Sequence, residues 1–127
     1  MFEYNLTILR VIDGDTVDAM VDLGFSVHRK IRIRMYGINT PESRTRDLEE
    51  KERGLKAKDR LVSLFETHED TLVLKSFGVG IYGRCLGELF YSVTIEDEWT
   101  ETKIEKKSIN KQLITEGHAV QYFGGKR

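Results

Sequence analysis

Three short segments of this 127-residue chain concentrate side chains able to hold an anion, a hard cation or a proton. The first is Ile12-Asp13-Gly14-Asp15-Thr16-Val17. The second runs from Arg34 through Asn39 and Thr40 to Pro41 and Glu42, and the third is Tyr82-Gly83-Arg84. Carboxylates bind hard cations and accept protons, and guanidinium groups grip oxyanions through charge-assisted hydrogen bonds. Each segment also has a plain structural reading. Asp-Gly is a common turn pair, Thr-Pro-Glu suits a loop leaving a strand, and Arg84 could pair with a carboxylate or stack on Tyr82. What they do therefore depends on the elements that carry them.

Apolar residues alternating at Leu6 and Ile8, then Val11-Ile12, predict a strand that ends in the Asp13-Gly14-Asp15 turn. A second strand is expected over residues 16–22, a reversal at Gly24, and a third strand over residues 27–36. In the third, Ile31, Ile33 and Met35 alternate with Lys30, Arg32, Arg34 and Tyr36, so the basic side chains share the face opposite the apolar ones. Gly37 and Pro41 close that strand and leave Ile38-Asn39-Thr40 as loop. Leu48, Leu55, Leu61, Val62 and Phe65 return at helical spacing and predict a helix over residues 47–68, weakened locally by Gly54.

Further strands are expected over residues 71–77 and 81–91, with Gly78 and Gly80 turning between them. Cys85, Gly87, Leu89 and Tyr91 share one side of the latter, and Arg84, Leu86, Glu88 and Phe90 the other. Glu96-Asp97-Glu98 reads as the tip of a charged hairpin. Ser108 suits the N-cap of a short helix that turns Ile109, Leu113 and Ile114 inward and stops at Gly117. A last strand is expected over residues 119–123. Five or more short strands, with one long helix after the third, favour a mainly β fold: a small barrel plugged by a helix.

The length suits one domain spanning residues 1–127. A net charge of -1 gives no general attraction to nucleic acid, but the charge is unevenly spread. Residues 29–60 hold eleven basic and six acidic side chains, while Glu96, Asp97, Glu98, Glu101 and Glu105 make the later part acidic. Such polarity suits either an anion-attracting face or solvated helix surface. The single cysteine, Cys85, excludes an internal disulfide and reads as a packing residue. His28, His68 and His118 have no metal-ligand spacing. No signal-like start or membrane-length apolar run is found, so a cytoplasmic protein without membrane contact is expected.

Taken in order, the three segments, the Lys56-Ala57-Lys58 helix, and Ile109-Asn110 followed by Gly117-His118-Ala119 resemble the signature of the thermonuclease, or staphylococcal-nuclease-like, family. The resemblance spans about residues 6–122. It implies a five-stranded barrel of the oligonucleotide-binding type and metal-dependent hydrolysis of phosphodiesters in DNA or RNA, with calcium as the cofactor and magnesium or manganese as alternatives. It assigns metal ligation to Asp15, to Asn39 and to the Thr40 carbonyl, the role of general base to Glu42, and phosphate binding to Arg34 and Arg84. Asp13 would be an outer-shell group. Tyr82, Tyr122 and Phe123 would be substrate-binding aromatics. These roles are chemically coherent: guanidinium groups at fixed angles favour the growing negative charge of an attacked phosphodiester, and a carboxylate can take the proton of the attacking water.

The chain departs from the family pattern in two ways. Asn39 stands where the family has a second metal-binding carboxylate, which predicts weak metal binding. Ile81 replaces a basic residue before Tyr-Gly-Arg, and the chain ends at Arg127 without the further helix of secreted members. Repacking around Trp99 or a homodimer would compensate. A bacterial or bacteriophage source fits this form. The rival to a nuclease is an inactive module of the same fold that binds nucleic acid or protein.

Overall fold

The computed structural model describes residues 2–79, 84–96, 99 and 102–123. β1 (Phe2–Asp13) and β2 (Thr16–Asp22) are antiparallel and meet at the Gly14-Asp15 turn, as the Asp-Gly-Asp motif predicts. A tight reversal leads into β3 (His28–Met35), which pairs with β2 from Asp22↔His28 to Thr16↔Arg34. β5 (Val73–Val79) lies on the other side of β1, and β6 (Cys85–Ile95) lies beside β5. The first residues of β6 then run parallel to the end of β3, pairing Ile33↔Cys85, Arg34↔Leu86 and Met35↔Gly87. That pairing closes β3-β2-β1-β5-β6 into a five-stranded ring of the oligonucleotide-binding type.

The alternation read in β3 is realised: Ile33 and Met35 are buried while Lys30 and Arg32 are exposed. Val17, Ala19 and Val21 from β2, Leu74 from β5 and Leu89 from β6 join them in the core. The second half of β6 pairs antiparallel with β7 (Lys103–Ser108), the return arm of the charged hairpin that the sequence suggests there. The expected hairpin tip lies partly outside the described residues. Trp99 is 89% exposed, so it does not fill the core as expected. Gly78 is not a turn residue but lies within β5 at φ +119, beside an irregularity in the β5–β6 register.

Asp47 caps α1 (Leu48–His68), its carboxylate accepting the amides of Glu49 and Glu50. The face of α1 that packs keeps the expected Leu61 and Phe65 but is rotated in the first half of the helix toward Gly54 and Ala57. Ala57, Leu61, Leu64 and Phe65 are buried, whereas Leu48 and Leu55 are exposed. Gly54 explains the rotation: a Cβ there would lie 2.4 Å from the Glu42 carbonyl oxygen. The chain at residues 42–43 rests directly on the helix, so the contact face is centred on small residues that a hydrophobic spacing rule passes over.

Ser108 caps α2 (Ile109–Thr115) by accepting the Lys111 amide, as expected. Arg60 of α1 meets Glu116 at the C-cap of α2 through two hydrogen bonds of 2.6 and 2.9 Å. Ile38–Asn39 is not loop but a short strand, β4, paired with β8 (Val120–Gln121). The pairing satisfies backbone groups of Ile38–Asn39 by joining them to the last strand that the sequence predicts, and this long-range contact is invisible to local pattern. No helix among the described residues is long and apolar enough to cross a membrane.

Candidate active site

Four of the expected site residues meet at one rim of the ring. Asp15 is the second residue of the tight turn, and its backbone carbonyl accepts the Met35 amide at 2.8 Å, tying the turn to the end of β3. Its buried carboxylate accepts the Thr16 hydroxyl on Oδ1 and the Thr40 amide on Oδ2, each at 3.0 Å. Arg34 Nη2 stands 3.5 Å from Asp15 Oδ2 and 3.4 Å from Asn39 Oδ1, while Nη1 donates to the Met35 carbonyl at 3.0 Å. Asp13 does not enter this group. It accepts the Ser43 amide at 3.3 Å and the Ser43 hydroxyl, pinning the segment after Glu42 to the first turn.

Two glycines make this convergence possible. A Cβ on Gly14 would lie 2.8 Å from Ala57 Cβ and 3.0 Å from Thr40 Oγ1, so α1 and the Thr40 loop can close on the turn only where that side chain is missing. Gly54 lets the chain beside Glu42 lie on α1 in the same way. Glu42 itself is exposed, two residues beyond Thr40.

Arg84 is exposed just before β6 and shares with Arg34 a cleft of about 250 Å³, whose walls include Tyr36, Leu86, Tyr122 and Phe123. Parallel pairing of β3 with β6 places both arginines at this opening. The expected aromatics Tyr122 and Phe123 therefore do face the arginines, while Tyr82 lies outside the described residues. Sequence reading passed over Tyr36 and Phe77. Tyr36 stacks on Phe77 at 4.6 Å between ring centroids and meets Phe123 at 5.6 Å, and all three are well exposed. Phe123 reaches Tyr36 by lying over Gly37, at φ +79, where a Cβ would be 3.0 Å from the ring. The only signal in the sequence was Tyr36 sharing the basic face of β3.

Asn110, which the sequence marks only as part of the family signature, has a structural role there. It is buried, accepts the Leu89 amide at 3.1 Å and donates to the carbonyls of Tyr36 at 2.8 Å and Gly87 at 3.3 Å. One side chain thus binds the end of β3 to β6 immediately behind the arginine cleft.

The donors at the rim suit a hard cation. Asp15 Oδ2 and Asn39 Oδ1 converge on one cationic nitrogen, and the Thr40 hydroxyl oxygen is buried without a hydrogen-bond partner. All are oxygens, with a single formal negative charge, as suits an ion that takes most of its remaining ligands from water or phosphate. Among the described residues no group of three or more His, Cys, Asp or Glu could hold a metal. His68 is instead stacked on Tyr91 at 3.8 Å, and His28 lies 4.0 Å from Asp22.

Comparison with known proteins agrees with this arrangement. The chain is 29% identical over 119 residues to a micrococcal nuclease of Shigella flexneri, covering 92% of this chain and 59% of that protein. It is 27% identical over 116 residues to Protein ParB of Escherichia coli, covering 91% of this chain and 55% of that protein. The chain thus spans less than two thirds of the length of either relative. A family profile described as staphylococcal nuclease homologue matches residues 32–127, taking in Arg34, Asn39, Thr40, Glu42 and Arg84, while Asp15 comes from the β1–β2 turn that completes the same ring. With that match covering most of its length, the chain belongs to the staphylococcal nuclease homologue family.

Proposed function

We propose that this chain hydrolyses phosphodiester bonds of DNA or RNA with a weakly held divalent cation, calcium first and magnesium or manganese as alternatives. The observation that carries the reading is the cleft that Arg34 and Arg84 line together, with Arg34 held from behind by Asp15 and Asn39. Two guanidinium groups facing one opening suit a phosphate, and they stabilise it more as charge builds on its oxygens during attack. Glu42 is the group to take the proton of the attacking water. Tyr36, Tyr122 and Phe123 offer apolar and stacking surface to the base next to the phosphate. Asp15, Asn39 and Thr40 would hold the cation, which when bound would polarise a phosphoryl oxygen.

The test is cleavage of labelled single-stranded DNA and RNA across a calcium, magnesium and manganese series, with Glu42→Gln and Arg84→Ala alongside. Cleavage that needs the ion and falls at least ~100-fold in both variants supports the reading. Undiminished cleavage in excess chelator overturns the metal requirement, and no cleavage under any ion overturns the enzyme. A binding module is the second reading, favoured by Asn39: an amide there leaves Asp15 as the one carboxylate whose contact with Arg34 Nη2 brings it to the cleft.

A further inference from the structure

We propose that the outer face of β3, together with the hairpin tip beyond it, is a track for one polynucleotide strand, leading away from Arg34 and ending at Phe25. The proposal rests on the reading that nucleic acid enters the arginine cleft, and it adds a second contact region outside that cleft. Three observations meet on it.

The first is charge on a single face. Lys30, Arg32 and Arg34 occupy alternate positions of β3 and so point to one side, spaced by about 6.7 Å, with His28, 4.0 Å from Asp22, one step further along the same face. The spacing is close to the step between successive phosphates of an extended single strand. Asp18 of β2 accepts Arg32 Nε at 2.8 Å and Nη2 at 3.2 Å, which uses two of the five guanidinium N–H groups, and Arg32 keeps half its side chain exposed. The same contact, reinforced by Lys30 and Arg10, holds the Asp18 carboxyl below its ordinary range. Lys30 is exposed and makes no ion pair among the described residues. Asp18 and Asp22 are the acids that face this stripe from β2, while Arg10 lies beside Asp18 on β1.

The second observation is the tip. Leu23, Phe25 and Val27 are exposed, Phe25 completely. Gly24, Phe25 and Ser26 have φ of +85, +54 and +62 in succession. Glycine would relax both non-glycine positions, so an exposed phenylalanine held in the left-handed region is a conformation with a cost to folding and no packing return. A free aromatic face at the end of a basic strand stacks on an unpaired base.

The third is continuity. Arg34 belongs both to this face and to the cleft it shares with Arg84, so a strand bound in the cleft can continue along β3 without crossing the barrel.

The experiment measures binding of a fluorescent single-stranded oligonucleotide about twenty nucleotides long, which exceeds one barrel's site size, over a salt series without added metal. Wild type, Lys30→Glu and Phe25→Gly are compared, with thermal melts run alongside. Lys30→Glu is expected to weaken binding about tenfold at low salt and to lower the slope of log affinity against log salt by about one or more. Phe25→Gly is expected to weaken binding about fivefold with little change in slope, while raising the melting temperature. If both variants bind as wild type does, the track is wrong, and the tip belongs to another class of partner. If wild type binds in this Lys30-dependent way yet cleaves nothing with any ion, the nuclease reading fails and the track stands. Equal loss of affinity for duplex of the same length would overturn the assignment to a single strand.

Discussion

Arg34 Nη2 lies between two oxygens, Asp15 Oδ2 and Asn39 Oδ1, while the guanidinium also borders the cleft with Arg84. Changing Asn39 alters the charge at that point with little change in size. Asn39→Asp is expected to tighten calcium binding about tenfold or more, read by calorimetry, because the first shell gains a full negative charge. An unchanged affinity would remove residue 39 from the proposed cation site. Phe123 tests the cleft from the aromatic side. Phe123→Ala is expected to raise KM about tenfold with kcat nearly intact, since a stacked base contributes about 1–3 kcal/mol to binding and takes no part in bond breaking. The meeting of Asp15, Arg34, Asn39 and Thr40, and of Arg34 with Arg84, was legible from motif order. Tyr36 and Phe77 were not, because their partnership joins β3 to β5, and spacing along one strand cannot show it.

At the scale of elements, the site depends on how closely α1 and the 40–43 segment approach the first turn. Gly54→Ala would add about 1 kcal/mol of helix propensity on an isolated helix. Here its methyl would meet the Glu42 carbonyl oxygen at 2.4 Å, so the variant is expected to melt lower, by roughly 1–3 kcal/mol of stability, and to lose cleavage as Glu42 moves. A higher melting temperature would mean that the segment yields without strain. Asn110→Ala leaves the Leu89 amide and the Tyr36 carbonyl without their buried partner and is expected to cost about 2–3 kcal/mol in denaturant unfolding. The tie between the two helices carries a pH signature. Arg60 holds Glu116 at about 2, below its ordinary 4.5, with Gln112 assisting. A depressed carboxyl stabilises the fold fully above its unfolded value and loses that contribution as pH falls through the folded one. Glu116→Gln should therefore be less stable by roughly 1 kcal/mol near neutral pH and should match wild type near pH 2, in melts across that range. The helix caps at Asp47 and Ser108 and the β1–β2 turn were legible because each is a local preference. The buried face of α1 was not, because the tertiary contact at Gly54 displaced it from the most hydrophobic spacing.

For the molecule as a whole, the proposed function requires that the ring and the charge on its outside guide a long polyanion to the site. Net charge is nearly zero, so any attraction must come from local distribution, of which the β3 face is the basic part that adjoins the cleft. Alternation along β3 separated a packed face from a charged one before any coordinates, since a strand's period of two leaves no other arrangement. Motif order likewise indicated the family and the barrel, because residues that do chemistry together must be brought together by some fold, and few folds do so with these intervals. Closure was another matter. The parallel pairing of β3 with β6 sets Arg34 beside Arg84, yet the two lie fifty residues apart with β4, α1 and β5 intervening. The β4–β8 pairing of Ile38–Asn39 with Val120–Gln121 is equally remote, and it places Asn39 and carries the chain on to Tyr122 and Phe123. By itself the sequence determined which residues are candidates for the chemistry and which face of each strand they occupy, because those follow from side-chain type and local period. Only the tertiary structure decided which of them share a cleft, which glycines let backbones touch, and that Phe77, Tyr36 and Phe123 form one aromatic surface, because contacts between distant segments depend on the free energy of the whole packed ring and not on the preferences of any one segment.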